Sequence, residues 1–226
     1  MNLKQLRKKV ISSEPHEEKN ISKVLTWLKK RKRLDKTKVK IISIKSLKDW
    51  SVEMNGNIFH KSKQFFSLKG VRTTNAYNRE VKKWDQPLLF QKHGGILAIF
   101  VREKNGIIEF LLNARREPGD GNSELKLCPS FSATQSNMNL AHGGKKTQLT
   151  DLVLNNKNLI CKTIHFEEGA RFWKKPNQNL LIFLKKNQEK KIKGKNFIWL
   201  NLSQIKKLNI KKGILNPFVK TILFMI

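Results

Sequence analysis

Cysteine is scarce in this chain, with two among 226 residues. Cys128 and Cys161 are too few for a disulfide framework and lack the paired spacing of a zinc site, so both read as small buried apolar residues of a reducing compartment. Long hydrophobic runs are lacking too. The N-terminus is charged without an apolar h-region, and the terminal run from Phe218 to Ile226 is broken by Lys220 and falls short of the roughly 20 residues that span a bilayer. These absences predict a cytoplasmic protein with no membrane partner. There is no Gly-rich loop of the dinucleotide or P-loop type, no paired His spacing and no Gly-x-Ser-x-Gly elbow. No cofactor is therefore expected, and no metal, since a site from the scattered His93, His142 and His165 would require a coincidence in three dimensions.

Acidic residues are few, 17 against 47 basic, for a formal net charge of +30. That imbalance marks nucleic-acid binders. Here, however, the excess is mostly lysine spread along the chain, whereas arginine is the better reader of phosphates and bases. The densest cluster, Lys29 to Lys40, reads as a solvated face or the rim of a nucleotide site, with grip on a phosphodiester backbone as the rival. No nucleic-acid partner is expected, and the positive field would steer a small diphosphate.

A chain of this length with 38% hydrophobic residues buries one sizeable core. Residues 1–20 read as a basic lead-in, a short helix closed by Ser12, Ser13, Glu14 and Pro15, and residues 21–226 as a single domain. Ile21, Val24, Leu25, Trp27 and Leu28 share one helical face, with Asn20 or Ser22 as cap and an end near Arg33. Strands are predicted at Val39 to Ile44, on both sides of the Asn55-Gly56 turn, within FFSLKGVR (Phe65 to Arg72) and REVKKWDQPLLF (Arg79 to Phe90), and at Ile96 to Val101. Further strands are predicted at Ile107 to Leu112, Leu125 to Cys128, Leu159 to Phe166, Leu180 to Leu184 and Phe197 to Leu200, then a helix from Ser203 to Leu208 capped by Ser203. With no internal repeat and no long linker, the class is α+β, a mixed β-sheet flanked by helices.

The stretch from Phe110 to Gly144 concentrates chemistry. Arg115, Arg116 and Glu117 end one strand, Pro118, Gly119, Asp120, Gly121 and Asn122 force a turn, and another strand follows. Polar side chains at that density around turn residues exceed what a core needs and read as an active-site segment.

Seven segments, in order, resemble the nucleotide-sugar 2,3-dehydratases that act on NDP-4-keto-6-deoxyhexoses. They are FFSLKGVR, REVKKWDQPLL, GGI (Gly94 to Ile96), FLLNARREPGDGN (Phe110 to Asn122), LCPSFSATQSN (Leu127 to Asn137), HGG (His142 to Gly144) and EEGARFWKKPNQN (Glu167 to Asn179). The closing FIWLNLSQIKKL resembles the end of one family repeat. Family chains carry two repeats, each similar to the Nudix fold. One copy here implies a single Nudix-like domain and a homodimer that supplies the second. Cys128, Ser130, Ser132 and Gln135 depart from the family pattern Leu-Ser-Pro-Thr followed by Gln-Ala-Thr-Arg-Ser-Asn. An arginine lost at Gln135 alters how phosphate is held or shifts that task to a lysine.

The reaction the resemblance implies is loss of water from a sugar without an external oxidant: the C4 ketone acidifies the C3 hydrogen, a base removes it, and the enolate expels the C2 hydroxyl. The enol product tautomerises to a 3,4-diketone, which implies a downstream 3-ketoreductase. This needs a carboxylate or imidazole base, donors to the enolate oxygen and an acid for the leaving hydroxyl. Glu117, Glu167 and His142 are the catalytic candidates; Glu167, at the end of an apolar strand, would sit against a low-dielectric wall that raises its pKa. Arg72, Arg79, Arg116, Arg171, Lys174 and Lys175 are candidates for the diphosphate, Trp84 and Trp173 for the nucleobase or sugar. Gln86, Gln135, Ser136, Asn137, Glu168, Asn177 and Asn179 complete the binding set for a dTDP-linked 4-keto-6-deoxyglucose. The rivals are a Nudix-type nucleoside-diphosphate hydrolase, whose acidic box is missing, and a basic nucleic-acid-binding module.

Overall fold

In the computed structural model, described over residues 1–121, 125–211 and 213–226, amphipathic helices precede the sheets. Asn2 and Gln5 form a capping box that starts α1 (Leu3–Ser13), and α2 (Ser22–Leu34) follows Asn20, whose side chain accepts the Ser22 N–H at 2.8 Å. The lead-in helix is packed: Leu6 is fully buried, and buried Glu17 accepts the Ser203 N–H at 2.8 Å. At Val39 to Ile44, where a strand is expected, the segment forms no strand and ends in a 3-10 turn at Ile44–Ser46, with Ile41 97% exposed. Apolar composition alone does not make a strand.

The first sheet runs β1 (Trp50–Val52), β2 (Ile58–His60), β3 (Ser67–Thr73) and β4 (Trp84–Phe90), and gains the two residues of β10 (Phe172–Trp173) parallel to β4. The β1–β2 turn is the predicted one, with Gly56 at φ +83° and its N–H on the Glu53 carbonyl at 2.9 Å.

The second sheet is built on β5 (Gly95–Lys104) and β6 (Ile107–Arg115), whose pairing ends at Val101 and Phe110. Beyond that pair the strands part, β6 taking β7 (Lys126–Pro129) and β5 taking β8 (Phe131–Thr134). Helices α3 (Gln135–Met138) and α4 (Thr150–Leu154) lead to β9 (Leu159–Phe166). The chain then crosses through β10, and β11 (Pro176–Phe183) runs parallel to β5 and antiparallel to β9. After α5 (Lys186–Glu189), β12 (Phe197–Asn201) closes the other edge on β6, and α6 (Leu202–Ile210) and α7 (Pro217–Leu223) end the chain. The class is α+β, with two mixed sheets rather than one. Asn201, not Ser203, caps α6, its Oδ1 accepting the Gln204 N–H at 2.8 Å. Asn122, expected in the turn after β6, lies outside the described residues.

Strand β5 is buried on both faces, Ile99 and Phe100 each at 0% exposure. On one face Leu97, Ile99, Phe110 and Leu181 pack with Leu6 of α1, Val24 and Leu28 of α2, Ile205 of α6 and Val219 and Ile222 of α7. On the other, Ala98, Phe100, Leu111 and Phe131 meet Leu152 and Val153 of α4. Among the described residues, no helix is long and apolar enough to cross a membrane.

Two predictions arise from this packing. A Cβ on Gly94 would lie 1.4 Å from the Pro176 carbonyl oxygen, whereas one on Gly95 would lie 3.1 Å from the Ala133 carbonyl oxygen. Gly94→Ala should therefore lower stability by roughly 3 kcal/mol or more and Gly95→Ala by less, as measured by denaturant unfolding. Burial pushes the Cys128 thiol up to about 11 from 9.0, so the unfolded chain ionises first and stability falls as pH rises across that interval. The stability gap between wild type and Cys128→Ala should narrow from pH 8 to pH 11 by about 2 kcal/mol, and Cys128 should resist iodoacetamide at pH 8 until the chain is unfolded.

Candidate functional site

Three connections meet where β5, β8 and β11 share one end of the second sheet. Gly94 and Gly95 lead into β5, Gln135 and Ser136 follow β8, and Pro176 opens β11, with Gly95 opposite Thr134 and Ile96 opposite Gln178. A cavity of about 260 Å³ is lined there by Lys92, His93, Gly94, Gly95, Gln135, Pro176 and Gln178, among others. A second, of about 400 Å³, shares Lys92, His93 and Gln135 and extends to Lys63, Gln64 and Phe65 in the β2–β3 connection and to Ser136 and Asn139. Together they form a cleft at the junction of the two sheets.

Next to the Gly94-Gly95 connection lies a polar cluster. Glu167 Oε1 accepts from Asn177 Nδ2 at 2.8 Å and pairs with Lys175 Nζ at 3.3 Å, and Asn177 Oδ1 accepts the Gly95 N–H at 2.9 Å. Lys175 and Asn177 are buried, and the Lys175 ammonium lies 4.6 Å from the Phe172 ring centre. The observed neighbours of Glu167 are thus an ammonium and an amide, not the apolar wall expected from the strand. Asn179, 1% exposed, is tied only weakly to the Asn177 carbonyl at 3.5 Å, and its Oδ1 accepts nothing among the described residues. A buried amide oxygen without a donor is a place where a structure bears cost for another purpose.

Glu167, Lys175, Asn177 and Asn179 are therefore brought together, with Gln135 and Ser136 across the Gly94-Gly95 connection. Ser136 is buried against Thr134 at 2.9 Å, half-buried Asn137 bonds the Thr134 hydroxyl through its N–H at 3.4 Å, and Gln135 Nε2 donates to Asn139 at 2.9 Å. The remaining candidates lie in other settings. Glu117 takes the Arg115 guanidinium, with Nε at 2.8 Å. Arg116 bonds Asp35 at 2.9 Å and the Gly121 carbonyl at 3.2 Å. Hydrogen bonds from Thr37, and then Arg116, hold the Asp35 carboxyl below its usual range. Exposed Arg72 grips Asp85 through two bonds at 2.8 and 2.9 Å, a surface pair of little energetic weight. That contact raises the Arg72 pKa and lowers that of Asp85. Arg79 is exposed between β3 and β4.

Trp84 donates to Gln86 at 2.8 Å, and Gln86 to the Ala170 carbonyl at 2.7 Å, so this pair fastens the β9–β10 turn to β4. Trp173 stacks on Phe90 at 5.4 Å, and Lys174 lies 5.5 Å from its ring centre. Arg171 pairs with Glu168 on the surface at 3.4 Å. The exposed His142 Nδ1 accepts the Gly144 N–H at 2.8 Å and closes its own turn.

Sequence reasoning did not single out Lys63, Lys92 or Gln178, and considered His93 only as a metal ligand. His93 directly precedes the Gly94-Gly95 step, which was a usable signal. Lysines carry no such mark in a chain with 47 basic residues.

The segments that bound this cleft lie within the part of the chain that matches a known family. The family described as NDP-hexose 2,3-dehydratase matches residues 21–226. Two curated relatives named dTDP-4-dehydro-6-deoxy-alpha-D-glucopyranose 2,3-dehydratase are similar along most of this chain. That of Amycolatopsis orientalis is 28% identical over 207 residues, covering 88% of this chain and 43% of the relative. That of Saccharopolyspora spinosa is 30% identical over 200 residues, covering 87% and 40%. The chain thus spans about two fifths of the length of these relatives. With a match that takes in both sheets, the cleft and the Glu167 cluster, the chain belongs to the NDP-hexose 2,3-dehydratase family.

Proposed function

We propose that this chain removes water across C2 and C3 of dTDP-4-keto-6-deoxyglucose. What carries the reading is the convergence of GGI, SATQSN and EEGARFWKKPNQN, distant in sequence, around one cleft, in a chain whose relatives bear that activity in their names. Glu167 is assigned the base. Its Oε1 is fixed by Lys175 and Asn177, which leaves Oε2 to take the C3 proton. The C4 oxygen gains negative charge as that proton leaves, and donors of the Asn177, Asn179 and Lys175 group stabilise it. The C2–O bond then breaks with protonation of the departing hydroxyl, and the enol takes a proton at C2 to give the 3,4-diketone. Water is the only group lost. Glu117 and His142 remain the acid candidates, delivered by closure of their loops on the sugar.

The assembly assigned to the chain is a homodimer. We further assign each unit a Nudix-like sandwich and a cytoplasmic place, and expect a 3-ketoreductase to consume the diketone.

The assay follows elimination and C3 exchange by NMR in deuterated water with dTDP-4-keto-6-deoxyglucose. Wild type should eliminate, and Glu167→Gln should lose kcat by about 100-fold or more while folding normally. Full turnover by Glu167→Gln would end its assignment as base, and neither exchange nor elimination in wild type would end the dehydratase reading.

A further inference from the structure

The larger cavity, about 400 Å³, has a lining of one electrostatic kind. Lys63 and Lys92 supply cations; His93, Gln135 and Ser136 supply ring, amide and hydroxyl groups. No carboxylate lines it, nor the smaller cavity that continues from it past Lys92 and His93. Neither lysine is paired with a carboxylate among the described residues. Lys63 also sits at φ +56°, a backbone region that non-glycine residues rarely adopt, fixed by its N–H on the His60 carbonyl at 2.8 Å. Two ammonium groups in an acid-free cavity suit an anion carrying more than one charge.

We propose that Lys63 and Lys92 hold the diphosphate of the sugar nucleotide. The assignment rests on the dehydratase reading and extends it. Gln135, the neutral residue on the α3 side, then faces a phosphate whose charge is met from the opposite wall, by the β2–β3 and β4–β5 connections. The hexose is left in the smaller cavity, beside Pro176 and the Gly94-Gly95 connection to the Glu167 cluster.

Calorimetric titration of the full chain with dTDP, inorganic pyrophosphate and thymidine tests this. Wild type should bind dTDP and pyrophosphate with affinity that falls as salt rises, and thymidine far more weakly. Lys63→Ala and Lys92→Ala should each weaken dTDP by about tenfold or more, with thermal melts unchanged, and Lys92→Arg should restore most of the binding. Lys207→Ala, on the exposed side of α6, is the control for the general positive field and should bind as wild type. Wild-type affinity in both cavity variants, an equal loss in Lys207→Ala, or no binding of either phosphate by wild type would overturn the proposal. Lysine-dependent dTDP binding without any elimination would uphold this site and remove the dehydratase reading; elimination at wild-type KM in both variants would do the reverse.

Discussion

The contact that the rest of the molecule depends on is the approach of Gly94 and Gly95 to the start of β11. The Pro176 carbonyl occupies the space where a Gly94 side chain would stand, and the Asn177 amide takes the Gly95 N–H. Parallel pairing of β5 and β11 requires a long crossover, and that crossover carries β8, α3, β9 and β10. Fixing its two ends therefore fixes the first sheet, through β10 on β4, against the second. The cleft exists because two sheets are joined there by short connections with no side chain at the tightest point.

Electrostatics divides the molecule into two parts. Acidic side chains are scarce, and many are placed as tethers: Asp35 on Arg116, Glu109 and Glu189 on Arg102, Glu17 on the start of α6. Each fastens one element or connection to another. What remains near the cleft is positive charge with few acids to offset it, and Glu167, held by a lysine and an asparagine, is the carboxylate joined to its Gly94-Gly95 edge through Asn177. A net charge of +30 would normally oppose a compact state. Dispersal of the lysines over the surface limits that repulsion while keeping the long-range field that draws an anionic ligand in.

Much of the fold was legible because local periodicity and turn chemistry agreed with the final packing. The face of α2, the Asn55-Gly56 hairpin and the apolar runs of β5 and β6 are instances, and each is settled within about ten residues of chain. Val39 to Ile44 forms no strand despite its apolar run, because strand formation is decided by packing elsewhere in the fold that those residues do not encode. The cap of α6 failed by two positions because Asn201 and Ser203 are both able caps, and buried Glu17, distant in sequence, claims the Ser203 N–H. The Glu167 cluster was half legible: the residues were named, but their junction through Gly95 depends on parallel register that no local pattern encodes.

The arginines explain why the basic residues of the cleft were the hardest to read. A guanidinium binds two oxygens in one plane and suits a diphosphate, so Arg72, Arg116 and Arg171 were natural choices. In the fold that same geometry is used internally: Arg72 on Asp85, Arg102 between Glu109 and Glu189, Arg115 on Glu117, Arg116 on Asp35 and Arg171 on Glu168. An arginine already held by a carboxylate must break that bond before it can take a phosphate. Lysines are held by carboxylates too, as at Lys9, Lys126, Lys146, Lys175 and Lys206, but lysine far outnumbers arginine in this chain, so the cations left to meet a ligand at the junction of the sheets are lysines. The features that make arginine the better phosphate ligand in isolation also make it the better internal tether, and in a chain with so few carboxylates the tethers take those carboxylates first.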